Sequence, residues 1–184
     1  MTHHRSSYPV EIAGLYRELP LFEVQPGLRI AVLNILGDTE LVQACATALA
    51  ENLASYDYQV IVTAEAKSIP LAYALSLATQ KPYVVLRKHY RSYMGETIQA
   101  ETISITTGQP QRLYLDEKDH EIIKNQNVVL LDDVISTGST LEGMHQVMEK
   151  ANAKVVAETA VFTEGDQGKW SHIIALGHLP LFTD

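Results

Sequence analysis

The sequence has little cysteine and no long apolar run. Cys45 is the only cysteine among 184 residues, so no disulfide can form within the chain and nothing indicates secretion. No stretch approaches about 18 apolar residues without a charge, so we expect no membrane span. The first residues lack the apolar run of a signal peptide, and a cytoplasmic location is therefore the expectation.

Basic residues are also scarce. The chain has 14 lysines and arginines against 22 acidic residues, which gives a net charge of −8. Such a protein is not suited to broad contact with nucleic acid or anionic lipid, so we expect neither as a partner. Any phosphate group must be held locally, by backbone amides and a few placed cations. The composition, 46% hydrophobic and 20% charged, is that of a globular protein, and the length suits one domain over residues 1–184.

Short β-branched runs alternate with amphipathic segments along the chain. The pattern predicts a helix over residues 8–19, ended by Pro20, and a turn at 25–27. Strands are predicted at 28–33, 59–63, 83–86, 128–131, 155–162 and 173–176, and helices at 40–54, 69–78 and 140–151. The central runs are continuously apolar, as in strands covered on both faces. We therefore predict an α/β fold with a mainly parallel central sheet flanked by helices.

One segment, residues 88–118, interrupts this alternation and shows no clear helix. Residues 102–106 and 111–115 alternate polar and apolar side chains around Gly108-Gln109-Pro110, which predicts a hairpin. A long polar excursion between two core strands is a candidate lid over an active site.

The most informative stretch is residues 128–140, VVLLDDVISTGST. It predicts a buried strand that ends in Asp132 and Asp133, then a loop of small residues, then a helix. In an open α/β sheet, ligands bind at the carboxyl ends of the strands, and such a loop presents backbone N–H groups to a phosphate. The hydroxyl groups of the loop belong to Ser136, Thr137, Ser139 and Thr140. Because carboxylates accept hydrogen bonds from sugar hydroxyls, the pattern indicates a phosphorylated sugar as ligand.

The alternative is structural: Asp, Ser and Thr are common helix caps and turn residues. Two acids after four branched apolar residues, followed by a hydroxyl–glycine loop and a helix, form a rarer combination that favours a ligand site. Two other nucleotide motifs do not fit. The chain has no G-x-x-x-x-G-K-[ST] loop, so this strand is not the partner of a P-loop, and no G-x-G-x-x-G follows a strand.

Residues 128–140 resemble the 5-phosphoribosyl 1-diphosphate (PRPP) signature of the type I phosphoribosyltransferases. The similarity extends over most of the chain and is greatest to the purine-base branch, the adenine and xanthine enzymes. It implies the fold of that family, with a flexible hairpin lid at about 88–118 and a small hood formed by about 1–36 and 165–184. It also implies that Asp132 and Asp133 hold the ribose 2- and 3-hydroxyls. The residues expected to wrap the 5-phosphate are Ser136, Thr137, Gly138, Ser139 and Thr140.

Two further segments resemble pyrophosphate-binding parts of the family. The stretch TAEAKS at 63–68 resembles the pyrophosphate loop, with Lys67 in place of an arginine; taken alone, Lys67 would be a solvated lysine on a turn. Arg87, Lys88 and Arg91 resemble the basic segment that reaches a pyrophosphate, often across a dimer interface, although a charge run is usually a solvated face.

The resemblance also implies a reaction. In this family a ring nitrogen of a base displaces pyrophosphate from C1 of the ribose. The expected catalytic residues are Asp132, Asp133 and Lys67. The expected cofactor is Mg²⁺, held through PRPP and water with no direct ligand from the protein. The expected partners are PRPP and a purine base, and the expected assembly is a homodimer.

The sequence departs from the adenine enzymes in the lid. Their Glu-Tyr-Gly is replaced by Thr106-Thr107-Gly108, so an acid thought to assist the base is missing. Base contacts are expected from four residues, Leu28, Leu33, Asn34 and Glu164. Leu33-Asn34 matches the xanthine enzymes. An acid at 164, where the xanthine branch has a lysine, favours a base with donors such as adenine, unless Glu164 belongs to an exposed turn.

We therefore expect a purine phosphoribosyltransferase of nucleobase salvage with adenine as the preferred base. Xanthine or hypoxanthine/guanine enzymes are the alternatives within the branch. An alternative of another class is a regulator that senses PRPP without catalysis, because the lid acid is missing. The chain has neither the added segment nor the basic face that such regulators usually have.

Overall fold

The computed structural model describes residues 5–103 and 110–183. Within them the strands are β1 (Ser7–Ile12), β2 (Leu15–Gln25), β3 (Leu28–Ala31), β4 (Val60–Ala64), β5 (Tyr83–Leu86), β6 (Ile98–Ile103), β7 (Pro110–Leu115), β8 (Asn127–Ile135), β9 (Lys154–Glu164), β10 (Ile174–Leu179) and β11 (Phe182–Thr183). The α-helices are α1 (Thr39–Asn52), α2 (Ile69–Thr79), the short α3 (His120–Ile123) and α4 (Ser139–Lys150). In this part of the chain no helix is long and apolar enough to cross a membrane.

The central sheet has five parallel strands in the order β10-β9-β8-β4-β5. Its middle strand β8 is buried on both faces. Val129 and Leu131 pack in the core that contains α1 and α2. Val128 and Leu130 pack in the core that contains α4. The predicted parallel sheet with helices on both faces is therefore confirmed, for the expected reason that continuous apolar strands need cover on both sides.

The predicted helix over residues 8–19 is wrong. These residues form the hairpin β1–β2, in which Val10 pairs with Arg17 and Ile12 with Leu15. Ala13 and Gly14 make the turn with φ angles of 50° and 75°. Burial in β1 alternates with a period of two, which an amphipathic helix does not show. Pro20 lies inside β2 rather than ending an element.

The N-terminal strands belong to a second, antiparallel sheet of order β1-β2-β3-β11. Its last strand comes from the other end of the chain, where Phe182 pairs with Arg29 and Thr183 with Leu28. The Phe182 ring also packs edge-on against Tyr8 at 5.2 Å between ring centroids. This sheet brings together the two segments for which the family resemblance predicts a hood.

The segment predicted as a lid contains the antiparallel pair β6–β7. Its apolar face is part of the core: Ala100, Leu113 and Leu115 are buried in the cluster that contains α4. An isolated bridge between Arg87 and Tyr114 ties the pair to the end of β5. Residues 104–109, which include the predicted turn and Thr106-Thr107-Gly108, lie outside the described residues.

Candidate active site

The strand β8 continues past its apolar run and carries both aspartates. The apolar run was predicted at 128–131, with the strand ending in Asp132 and Asp133. The strand extends to Ile135, since Asp132 pairs with Ala160 and Ile135 with Thr163 of β9. The loop 136–138 follows, and α4 then begins at Ser139. A cavity of about 150 Å³ lies at this edge of the sheet. Its lining comprises Asp132, Val134, Ile135, Ser136, Thr137, Gly138, Thr140 and Leu141.

The loop conformation depends on Gly138. Its φ angle is +87°, and a Cβ atom there would lie 2.6 Å from Cη2 of Trp170, so only glycine fits without strain. Around it, the hydroxyls of Thr137 and Ser139 are 3.2 Å apart, and Lys169 Nζ donates to the Thr137 carbonyl at 3.1 Å. A glycine-bearing loop at the start of a helix is suited to bind an anion through backbone amides.

Asp132 is partly buried beside a second carboxylate. Its Oδ1 accepts hydrogen bonds from the Asp133 backbone N–H at 2.9 Å and from the Ser68 hydroxyl at 3.3 Å. Burial and the neighbouring Asp133 charge together raise the pKa of Asp132 to about 7. Ionised Asp132 is costly in the free protein, so hydrogen bonds donated by the hydroxyls of a ligand would stabilise its charged form.

Lys67 joins the TAEAKS segment to Asp133. Its Nζ lies 2.9 Å from Asp133 Oδ2 and donates to the Leu33 carbonyl at 3.2 Å. The Asp133 side chain is only 9% exposed, whereas that of Lys67 is 46% exposed. Lys67 is therefore not simply a solvated lysine, since it compensates a buried carboxylate and keeps half of its surface open to solvent.

Two buried hydroxyl groups that were not among the predicted site residues hold the TAEAKS loop in place. Thr63 Oγ1 donates to the Leu131 carbonyl of β8 at 2.8 Å and lies 2.9 Å from Ser68 Oγ. Ser68 in turn contacts Asp132, so the three residues connect β4, the loop and β8. Thr63 and Ser68 are the first and last residues of the TAEAKS stretch, and that position was the available signal.

The basic segment after β5 is held by Glu65, which was also not among the predicted site residues. Glu65 Oε1 accepts from Arg87 Nε at 2.7 Å, and Oε2 accepts from the Lys88 backbone N–H at 2.8 Å. Burial alone would raise the pKa of Glu65, but the hydrogen bonds from Lys88 and Arg87 lower it overall. The structure thus joins Arg87 to the TAEAKS loop, not to the cavity at Asp132. Arg91 is exposed.

The four residues expected to contact a base have different surroundings. Leu28 is half-buried and Asn34 is exposed. Leu33 is 3% exposed and belongs to the core, and its carbonyl accepts from Lys67 Nζ. Glu164 is 5% exposed, which excludes the interpretation of its side chain as part of an exposed turn. Its Oε1 accepts from the Ser136 hydroxyl at 2.6 Å.

Comparison with known proteins identifies the family. The family model described as a phosphoribosyl transferase domain matches residues 32–173, which include the cavity, Lys67 and Glu164. The chain belongs to the phosphoribosyltransferase family. The membership predicted from residues 128–140 is confirmed.

Relatives similar in sequence carry the names of purine enzymes. The chain is 40% identical over 106 residues to a hypoxanthine/guanine phosphoribosyltransferase of Methanococcus voltae, and covers 53% of it with 58% of its own length. It is 36% identical over 132 residues to the enzyme of the same name from Methanocella paludicola, and covers 64% of it with 72% of its own length. The chain thus spans between half and two thirds of the length of these two relatives.

Solved structures support the fold. The adenine phosphoribosyltransferase of Thermoanaerobacter pseudethanolicus superposes with a TM-score of 0.68 at 19% identity, over 94% of this chain and 95% of that one. That of Rhodothermus marinus gives a TM-score of 0.66 at 20% identity, over 94% of each chain. The predicted type I phosphoribosyltransferase fold is confirmed.

Proposed function

We propose that the protein transfers the phosphoribosyl group of PRPP to a purine base, which yields a nucleoside monophosphate and pyrophosphate. The observation that supports this most is that Asp132 lines one cavity together with the loop 136–138 and Thr140 of α4. One wall offers a carboxylate for sugar hydroxyls and the other offers amides and hydroxyls for a phosphate. Family membership and the purine-enzyme names of the relatives agree with this assignment.

The roles of the residues follow from their positions. Asp132 and Asp133 would accept hydrogen bonds from the ribose 2- and 3-hydroxyls, and residues 136–140 would bind the 5-phosphate. Lys67 would leave Asp133 and turn its ammonium group to the departing pyrophosphate. Charge that develops on the leaving group is stabilised most when cations are already in place and water is excluded. Arg87 and Lys88 would act from the end of β5.

Mg²⁺ is part of the proposal. Residues 5–103 and 110–183 contain no group of three or more His, Cys, Asp or Glu side chains that could hold a metal. The oxygens of Asp132 and Asp133 are the kind of ligand that Mg²⁺ accepts, but Mg²⁺ usually keeps several waters and binds substrate phosphates. When bound with PRPP it would neutralise pyrophosphate charge, while Asp132 and Asp133 serve the sugar.

Two observations bear on the base. The relatives at 36–40% identity are named for hypoxanthine and guanine, which favours a 6-oxopurine. An acid at the end of β9 favours a base that offers N–H donors, as the amino group of adenine does. In the free protein, however, the Glu164 side chain is bound to Ser136. Hypoxanthine, guanine and adenine are therefore all candidate bases for the proposed reaction, and xanthine is the fourth base to be tested.

The test is pyrophosphate release from PRPP and Mg²⁺ with each of the four bases. We expect base-dependent turnover that Asp133→Asn reduces by at least about a hundredfold without unfolding the protein. The matched control is Asp57→Asn, an exposed residue before β4 at the opposite edge of the sheet, which should leave turnover unchanged. Unchanged turnover in Asp133→Asn would refute the site. PRPP binding without turnover on any base would select the sensing regulator instead.

The remaining expectations are also proposals. We propose a homodimer on the basis of the family resemblance. We propose a cytoplasmic location because cysteine is scarce. Light scattering at several protein concentrations tests the assembly: a mass of twice 20.4 kDa is expected, and a monomer at all concentrations would refute it.

A further inference from the structure

Glu164 has an unusual position for an acid near a phosphate loop. It is 5% exposed at the end of β9, and its Oε1 accepts from Ser136 Oγ at 2.6 Å. Within residues 5–103 and 110–183 no basic side chain forms an ion pair with Glu164. The Ser136 hydroxyl is therefore its side-chain donor in the free protein.

The Ser136 hydroxyl has a single proton to donate. It can donate to Glu164 or to a phosphate bound by the loop, but not to both. A phosphate that takes this donor leaves a buried carboxylate without a partner and next to another negative charge. Both effects oppose phosphate binding unless Glu164 gains a new donor, because an unpaired buried carboxylate is costly.

The backbone around Glu164 is held in place, so a change of donor involves its side chain. The Glu164 carbonyl accepts from Trp170 Nε1 at 3.2 Å, and the Trp170 ring packs against Gly138 of the same loop. Glu164 also pairs with Leu179 of β10. Its side chain lies at the carboxyl ends of β8 and β9, which is the ligand-binding edge of an open α/β sheet.

We propose that the Ser136–Glu164 hydrogen bond couples phosphate binding to base binding, an inference that rests on the proposed function. The 5-phosphate takes the Ser136 hydroxyl, and the released Glu164 carboxylate then accepts an N–H of the purine base. In the empty site the Ser136 hydroxyl donates to the Glu164 carboxylate, so that carboxylate is not available to the base and the base binds weakly. The coupling is reciprocal: a bound base frees Ser136 for the phosphate.

The experiment uses ribose 5-phosphate, which has no leaving group and cannot react. The Kd of hypoxanthine and of adenine is measured by calorimetry with Mg²⁺, in the absence and in the presence of saturating ribose 5-phosphate. For whichever base the enzyme uses, we expect ribose 5-phosphate to tighten binding at least about fivefold, within the usual range of coupling between sites.

Two variants and one control test the hydrogen bond itself. In Ser136→Ala the base should bind without ribose 5-phosphate as tightly as it binds to the saturated wild type, so the ratio of the two Kd values falls to about one. Glu164→Leu, which has no acceptor, should also lose the coupling, with weak base binding in both states. Thr140→Ala removes another hydroxyl of the same cavity. It should weaken the binding of ribose 5-phosphate but keep the wild-type ratio of the base Kd values without and with ribose 5-phosphate.

The outcomes separate the two proposals. If the wild type turns over PRPP but Ser136→Ala keeps the wild-type ratio, the coupling is refuted and the proposed function stands. If the wild type shows no turnover with any purine, the proposed function fails and the coupling fails with it. Circular dichroism of each variant checks that the ratios come from folded protein.

Discussion

Lys67 Nζ and Asp133 Oδ2 lie 2.9 Å apart, so the expected pyrophosphate contact and an expected sugar contact neutralise each other in the free protein. A ligand that binds both must separate them. The diol of the sugar would replace Lys67 at Asp133, and the pyrophosphate would receive the lysine. The pyrophosphate thus neutralises the lysine that the sugar displaces, and the sugar hydroxyls bind the aspartate that the lysine leaves.

The first prediction concerns this pair. Lys67→Met should lower the free energy of unfolding by about 1–2 kcal/mol because it leaves Asp133 buried and unpaired; the loss is limited because Lys67 is half exposed. The variant should also raise the KM for PRPP by about tenfold or more. Urea unfolding and initial rates measure the two effects. In Lys67→Met/Asp133→Asn most of the stability should return, and a double variant as unstable as the sum of the single ones would contradict the pairing.

The second prediction concerns pH. The folded-state pKa of Asp132, about 7, lies above its ordinary value of 3.8, so the folded protein retains a proton that the unfolded chain loses. Stability of the ligand-free protein should therefore fall as pH rises from about 4 to about 7. Asp132→Asn cannot ionise and should lack this part of the fall. Urea midpoints of both proteins across this range provide the measurement, and parallel curves would show that Asp132 has an ordinary pKa.

The third prediction concerns the loop glycine. Gly138→Ala should destabilise the fold by about 1–3 kcal/mol and weaken PRPP binding, because both the backbone angle and the Trp170 ring oppose a Cβ atom. Gly14→Ala is the matched control, since its φ is +75° but nothing lies within 4 Å of the added atom. Equal losses of stability in the two variants would mean that the tryptophan contact contributes nothing.

The fourth prediction concerns the buried hydroxyl of Thr63. Thr63→Val keeps the shape but removes the donor to the Leu131 carbonyl and the contact with Ser68, at a cost of about 1–3 kcal/mol. Turnover should fall as well, because the loop with Lys67 loses its tie to β8. Thr47→Val, on the exposed side of α1, should change neither quantity. Full activity in Thr63→Val would show that the loop is positioned by other contacts.

The central strand, the loop and the helix that follows it were predicted correctly from the sequence. Residues 128–140 combine a continuous apolar run, two acids and a glycine loop, and each of these local signals points to the same strand–loop–helix unit. The N-terminal hairpin was missed because the spacing of Val10, Leu15 and Leu19 also fits one side of a helix. Only the pairing of β1 with β2, a contact between separate segments, decides between the two periods.

The partners within the site could not be predicted in the same way. Glu65 with Arg87, and Glu164 with Ser136, are 22 and 28 residues apart, and only the order of strands brings them together. Leu33 shows the converse case. A match to a family motif predicts a base contact, and that stays a prediction; the motif gave no indication that the Leu33 side chain fills the core while its carbonyl accepts from Lys67.

The contact between Trp170 and Gly138 gives the protein a built-in optical probe. Trp170 is the only tryptophan in the sequence, its indole ring lies on the loop of the cavity and its N–H is bonded to the Glu164 carbonyl. Emission of the unlabelled protein therefore arises beside the site where an anion would dock. Stopped-flow fluorescence can follow the arrival of each substrate in real time and establish their order.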